Sequence, residues 1–173
     1  GRLTEQKDHS TLLRAFAQAN RSKLMRMLIV GDGKLKADLE QEAELLGIRS
    51  RIDFLGHVAN PFPLIANSAL LVLPSLWEGL PNVLIEALAC GTPVVATDCE
   101  GGGAREILIN GKLGHLVSPS EPEALAAAIV GALEKDGQPS SDTSLALNRF
   151  EKEAILNKYL EAMSDRSSNA EHQ

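Results

Sequence analysis

Aromatic side chains are scarce in this chain: one Trp, one Tyr and four Phe, 3% of 173 residues. The core must then be built from Ala, Leu, Ile and Val, within a hydrophobic content of 44%. That mixture suits Ala-rich helices on aliphatic strands and weighs against an all-β sandwich. Basic residues are outnumbered, 17 Lys+Arg against 23 Asp+Glu, for a formal net charge of −6. This weighs against a general nucleic-acid binder, which needs a basic face for phosphate contacts. It leaves room for a local basic pocket that takes one small phosphorylated ligand. No apolar run approaches the roughly 18–20 residues of a membrane span, and no stretch has the pattern of a signal peptide. The only two cysteines, Cys90 and Cys99, have neither metal-ligand nor CxxC spacing, which points to a reducing, cytoplasmic setting. No histidine pair has metal spacing either, so no metal site is expected.

What is present is alternation of helix and strand signals from end to end. Helical faces are predicted over Thr11–Ala19, Lys34–Leu46, Pro61–Ala66, Asn82–Ala89, Ala104–Ile109 and Pro122–Glu134. Short apolar strands are predicted over Met25–Val30, Ile52–Leu55, Ala69–Leu73, Pro93–Ala96 and Gly114–Val117. Strands that are apolar without alternation are buried on both faces, which implies a parallel sheet with helices on each side. The expected fold class is therefore α/β, one Rossmann-like domain over residues 1–136. A polar linker and a last helix are expected over 137–163, and a disordered polar tail over 164–173. The chain opens on Gly1-Arg2-Leu3 with no strand before it, so an excised domain with a truncated first strand is expected.

Ligands of such sheets bind outside the carboxyl ends of the strands. Of the loops there, Pro74–Asn82 is the most informative. It reads Pro74-Ser75-Leu76-Trp77-Glu78-Gly79-Leu80-Pro81-Asn82 and runs straight into a helix, so its free N–H groups and the helix dipole make an anion site. Glu78 precedes the turn and Glu86 lies within the helix, from which its side chain can point back to the mouth of the strands. A carboxylate there suits a vicinal diol such as a ribose. On spacing alone, a capping or salt-bridging helix carboxylate is the favoured role for Glu86.

The string E-G-L-P-N-V-L-I-E-A-L-A-C-G-T-P-V-V-A-T-D, from Glu78 on, resembles the E-x7-E segment of retaining glycosyltransferases of the GT-B fold, family 4 in particular. Four further landmarks resemble that family in the right order: Gly1-Arg2-Leu3-Thr4-Glu5-Gln6-Lys7, Leu28-Ile29-Val30-Gly31-Asp32-Gly33, Phe54-Leu55-Gly56-His57-Val58, and Ala104-Arg105-Glu106-Ile107 with Gly114-His115-Leu116-Val117. The resemblance implies the C-terminal, donor-binding half of such an enzyme, in which a hexose-type sugar passes from a nucleotide-diphosphate donor, UDP- or GDP-linked, to an acceptor with retention. Arg2 and Lys7 match the basic pair on the donor diphosphate; without the landmarks they read as a solvated surface pair. Glu86 matches the carboxylate on the ribose and Glu78 the one beside the donor sugar, so Arg2, Lys7 and Glu78 are the implied catalytic residues. Backbone groups of Gly1, Gly31, Gly33, His57, Val58, Gly79, Leu80, Asn82 and Val83 complete the implied donor site. Pro81 stands where relatives often have Gly, and one N–H donor is lost.

The resemblance also implies internal return without a metal or a protein nucleophile. The acceptor, a glycan or lipid-linked glycan, would meet the donor on an N-terminal domain absent from this chain. The chain alone would bind donor without transferring sugar. Membrane contact, peripheral at the inner face, would come only through that missing half. A non-catalytic nucleotide-sugar binding module and a GT-B epimerase or hydrolase remain open. A dehydrogenase is disfavoured because Gly31-Asp32-Gly33 lacks the third glycine of the dinucleotide fingerprint. The truncated strand would stand at the centre of a 3-2-1-4-5-6 sheet, between Met25–Val30 and Ala69–Leu73, leaving both with unpaired edges unless they pair with each other.

Among the remaining residues, His9 is expected to cap the first helix, His115 to be structural and Cys90 to be a small buried residue. Lys34 reads as solvated. Trp77 either walls the sugar site or packs under its loop. Asp98-Cys99-Glu100 reads as a loop before Arg105 rather than a metal motif, and Glu100–Gly103 as flexible.

Overall fold

The computed structural model describes residues 1–20 and 25–134. The linker, last helix and tail expected over 137–173 lie outside the described residues. Helices α1 (His9–Ala19), α2 (Lys36–Leu45), α3 (Phe62–Ala66), α4 (Asn82–Ala89), α5 (Gly103–Ile107) and α6 (Pro122–Glu134) interleave with strands β1 (Met27–Val30), β2 (Ile52–Gly56), β3 (Leu71–Leu73), β4 (Val94–Thr97) and β5 (His115–Val117). All eleven stand where the apolar periodicity places them, with α4 and α6 at the expected ends. Single 3-10 turns over Glu5–Lys7 and Arg49–Arg51 were not foreseen.

All ladders are parallel. β1 pairs β2, with Met27 opposite Ile52 and a register shift between Ile29 and Val30. β4 pairs β3 and β5, with Val95 opposite both Val72 and His115. Every residue of β4 is buried, as its unbroken apolar run predicts. On one face Val94 and Ala96 pack with Leu84, Ala87, Ile107 and Leu108. On the other, Val95 meets Ala15, Leu125 and Ile129, where α1 lies along α6. A third cluster joins β1 and β2 to α1 and α2 through Leu13, Phe16, Ile29, Leu39, Ala43 and Ile52. Each fully buried Leu or Ile here contributes about 1.5–3 kcal/mol by leaving water. These are the helices on both faces that the composition implies.

The sheet is split. Among the described residues no ladder joins β1 to β3, and the two sheets have orders β1-β2 and β3-β4-β5. The two apolar runs do not pair with each other to close the gap. Leu28, Ile29 and Val30 instead line a cleft of about 750 Å³ together with Leu70, Leu71 and Val72. The Gly1 amine donates to the Val30 carbonyl at 2.6 Å, so the chain starts at the carboxyl end of β1. Two-face burial was expected of β1 as well, but Leu28 is 42% exposed because its side of the strand looks onto this cleft.

Candidate active site

The cleft opens at the carboxyl ends of the strands. There it is lined by Gly1, Arg2, Lys7, Gly31, Asp32, His57, Val58, Glu78, Leu80, Pro81, Asn82, Val83 and Glu86. Segments from four separate loops thus meet around one opening. Two glycines singled out in the sequence, Gly33 and Gly79, are not among the lining residues. Gly33 lies against the backbone of Leu3, where a Cβ would come within 2.4 Å of the Leu3 carbonyl oxygen.

Local packing brings the first residues to the mouth. Leu3 N–H donates to Asp32 O at 2.9 Å, and Leu35 N–H donates to Leu3 O at 3.3 Å. Leu3 itself is fully buried. Gly31 has φ +133°, and a Cβ on it would lie 1.7 Å from the Gly1 carbonyl oxygen. Glycine is therefore required for the strand end to pass so close to Gly1. Arg2 is exposed at this point, and no side-chain partner for it occurs among the described residues.

Helix α4 begins at the mouth without a protein cap. Its N-cap residue is Pro81, in extended conformation, and no side chain caps the helix. The N–H groups of Gly79, Leu80, Asn82 and Val83 have no acceptor among the described residues. Free N–H groups and the positive end of the helix dipole make this an anion-binding end. Glu86, one turn into α4, is half-buried and lines the cleft. Its carboxylate has no hydrogen bond or ion pair among the described residues, so the capping and salt-bridging roles open at sequence level are not the ones it has here.

Glu78 differs. It is 8% exposed and ion-pairs with Lys7. The Ser75 hydroxyl donates to the same carboxylate oxygen, Oε1, at 2.7 Å. Lys7 and Glu78, matched by resemblance to the diphosphate and to the sugar, thus lie in direct contact. Beneath them, the Thr97 hydroxyl donates to the Ser75 carbonyl.

The loop 100–103 was expected to be flexible, and the structure corrects this. Glu78 N–H donates to Glu100 O at 3.0 Å, and Trp77 bridges to Glu100. A Cβ on Gly101 would lie 1.9 Å from Glu78 O, and one on Gly103 1.7 Å from Gly79 O. The glycines allow the two loops to dock backbone to backbone. Trp77 is 49% exposed and is not among the cleft-lining residues.

Asp8, not His9, caps α1: its carboxylate accepts from Thr11 N–H at 3.2 Å. His9 is the first residue of the helix, lines the cleft and has a buried Nδ1 without a partner. Burial, then the Gly1 amine and Lys7, lower its pKa from 6.5 to about 4. In the sequence, the signal for this is the place of His9 two residues after Lys7, which sets the imidazole near that cation. Lys34 forms an exposed pair with Glu5. Asp98 pairs with Arg105, as a loop carboxylate before α5. Cys90 is only half-buried at the end of α4, while Cys99 is buried. No group of three or more His, Cys, Asp or Glu able to hold a metal occurs among the described residues. No helix among them is long and apolar enough to cross a membrane.

Comparison with known proteins shows what the chain is similar to. The family described as glycosyl transferases group 1 matches residues 1–135. An uncharacterized glycosyltransferase of Methanocaldococcus jannaschii is 43% identical over 109 residues, 62% of this chain and 27% of its own. The N-acetylgalactosamine-N,N'-diacetylbacillosaminyl-diphospho-undecaprenol 4-alpha-N-acetylgalactosaminyltransferase of Campylobacter jejuni is 34% identical over 136 residues, 79% of this chain and 36% of its own. The chain thus spans about a third or less of these curated relatives. Among solved structures, Anabaena HepE in complex with UDP superposes with a TM-score of 0.82 at 30% identity, covering 95% of this chain and 47% of HepE. HepE has also been solved with UDP-glucose. The fold is that of the GT-B glycosyltransferases, and the chain belongs to the glycosyl transferases group 1 family.

Proposed function

We propose that this domain binds a nucleotide-diphosphate sugar, UDP-linked in the first instance, and serves as the donor half of a retaining glycosyltransferase. The observation that carries the reading is the mouth of the cleft. Exposed Arg2, the more sheltered Lys7 and the uncapped start of α4 stand there beside a carboxylate, Glu86, that makes no hydrogen bond or ion pair among the described residues. Cations and free N–H groups suit a diphosphate. The free carboxylate suits the two hydroxyls of a ribose. The complexes of HepE with UDP and UDP-glucose support the choice of base for the first test.

In this reading Arg2, Lys7 and the N–H groups of Leu80, Asn82 and Val83 hold the diphosphate. As the glycosidic bond breaks, negative charge grows on that leaving group, and these donors stabilise it more than they stabilise the bound donor. They supply the charge a metal would otherwise provide, so the transfer is metal-independent. Glu78 hydrogen-bonds the departing sugar. Held by Lys7 and Ser75 on one oxygen, it is suited to orienting a hydroxyl and not to attack. The acceptor hydroxyl then enters from the side the diphosphate leaves, its oxygen bonding the anomeric carbon and its proton passing to the departing phosphate oxygen, and configuration is retained. The main-chain groups of His57 and Val58 line the base. The acceptor, a glycan or a lipid-linked glycan, is bound by a second domain. The two free thiols suit a reducing cytoplasm.

A donor screen by calorimetry on the full chain as its gene encodes it, in EDTA, tests the reading. Binding of one nucleotide sugar and its nucleoside diphosphate is expected, and transfer should give a product whose anomeric configuration by NMR matches the donor. Loss of activity in EDTA would overturn the metal-free mechanism. An inverted product would overturn retention.

A further inference from the structure

We propose that Ser75 is a positioning residue that fixes which oxygen of Glu78 meets the donor sugar. The inference rests on the reading that Glu78 lies beside that sugar.

Glu78 Oε1 accepts from both the Lys7 ammonium and the Ser75 hydroxyl. Oε2 has no partner among the described residues and is not fully buried, since the one fully buried polar side-chain atom without a partner there is His9 Nδ1. Glu78 lines the cleft. The carboxylate is therefore turned so that one oxygen is saturated by the protein and the other is left for a ligand hydroxyl. Lys7 cannot hold that orientation throughout, because the donor diphosphate competes for the same ammonium. Once a diphosphate draws Lys7 away, the Ser75 hydroxyl is the remaining side-chain donor on the carboxylate.

Ser75 is built for the task. It is fully buried, as is Thr97, whose hydroxyl donates to the Ser75 carbonyl. The loop is clamped from the other side by Gly101 and Gly103 against the carbonyls of Glu78 and Gly79. The hydroxyl is thus presented from a closely packed backbone, and its loss would let the carboxylate rotate about its side-chain torsions.

The test compares UDP with UDP-glucose by calorimetry on the full chain, for wild type, Ser75→Ala, Glu78→Gln and the double variant. Ser75→Ala is expected to weaken UDP-glucose roughly tenfold or more, as for a hydrogen bond to a charged group, and to leave UDP unchanged. In the Glu78→Gln background the Ser75 substitution is expected to add little, because the two act through one carboxylate. Equal losses for UDP and UDP-glucose, or full additivity with Glu78→Gln, would show Ser75 to be only a packing residue and overturn the proposal. If Glu78→Gln itself leaves UDP-glucose and UDP affinities unchanged, the sugar-side reading of Glu78 fails, and this proposal with it. Absence of binding of either ligand by the wild type overturns the donor reading. Should Ser75→Ala fail to fold, Thr97→Val, which keeps the volume and removes the support under Ser75, decides the matter by the same split between the two ligands.

Discussion

Lys7 and Glu78, 71 residues apart in sequence, are each other's ion-pair partners at the mouth of the cleft, with side chains only 19% and 10% exposed. Two residues that the family resemblance assigns to different parts of a donor therefore form one unit. A pair this sheltered is costly to break from one side, since the remaining charge loses its partner away from water. Lys7→Ala is expected to lower unfolding stability by about 1–3 kcal/mol, measured by urea denaturation. Adding Glu78→Gln should return part of that loss, because the stranded carboxylate is then gone. Strict additivity of the two substitutions would contradict the coupling.

The same ammonium is assigned to the departing diphosphate. Lys7→Ala should therefore reduce kcat by much more than it changes the affinity for uridine, which has no phosphate. Equal effects on both would place Lys7 in structure alone.

His9 gives the site a pH dependence with a defined sign. Its pKa in the folded protein is about 4, below the ordinary 6.5, chiefly through burial and then through the Gly1 amine and Lys7. Between these values the unfolded chain binds the proton and the folded one does not. The stability associated with neutral His9 is thus complete above about pH 6.5 and falls as pH drops towards 4, by at most about 1.4 kcal/mol per pH unit. His9→Gln should flatten the stability profile in that window, as measured by urea midpoints at pH 7, 5.5 and 4.5. A variant with the wild-type slope would contradict the assignment.

The split sheet carries its own expectation. β1 and β3 present backbone edges and the apolar side chains of Leu28, Leu70 and Val72 to the cleft. Unpaired edges of this kind favour association and cost stability. An extended apolar segment of about five to six residues joined ahead of Gly1 would run towards the carboxyl end of β1, where the Gly1 amine already meets Val30 O. Such an addition is expected to raise Tm by several degrees, on the scale of about 4–8 °C per kcal/mol for a small domain. An unchanged Tm would show that the gap is not a site for a strand.

Much of this was legible in the residues, for physical reasons that also explain the rest. Leu84, Ala87 and Leu88 repeat at helical spacing, and Pro81 and Gly91 bracket them, so α4 was placed to the residue. β4 has no polar residue before Thr97 and is buried throughout. β1 reads much the same, yet Leu28 is exposed, because burial depends on the neighbouring strand and not on the run itself. Gly101 and Gly103 read as a loose loop. Their carbonyl contacts with Glu78 and Gly79 come from chain segments more than twenty residues away, which no local pattern records. The meeting of Lys7 with Glu78 is equally non-local. Asp8, by contrast, was readable as a cap, since Asp just before a helix is a preferred N-cap whose carboxylate reaches the N–H three residues on, here that of Thr11.

The central claim is that the Glu86 carboxylate on α4 and the cations at the mouth form a nucleoside-diphosphate site. Titration of UDP into the full chain in EDTA, for wild type and Glu86→Ala, tests it most directly. Saturable binding by the wild type is expected, with Glu86→Ala weaker by about 1–3 kcal/mol, as for hydrogen bonds to a charged group, and with little change in stability, because Glu86 makes no hydrogen bond or ion pair among the described residues. Affinity for UDP unchanged by Glu86→Ala would contradict the claim.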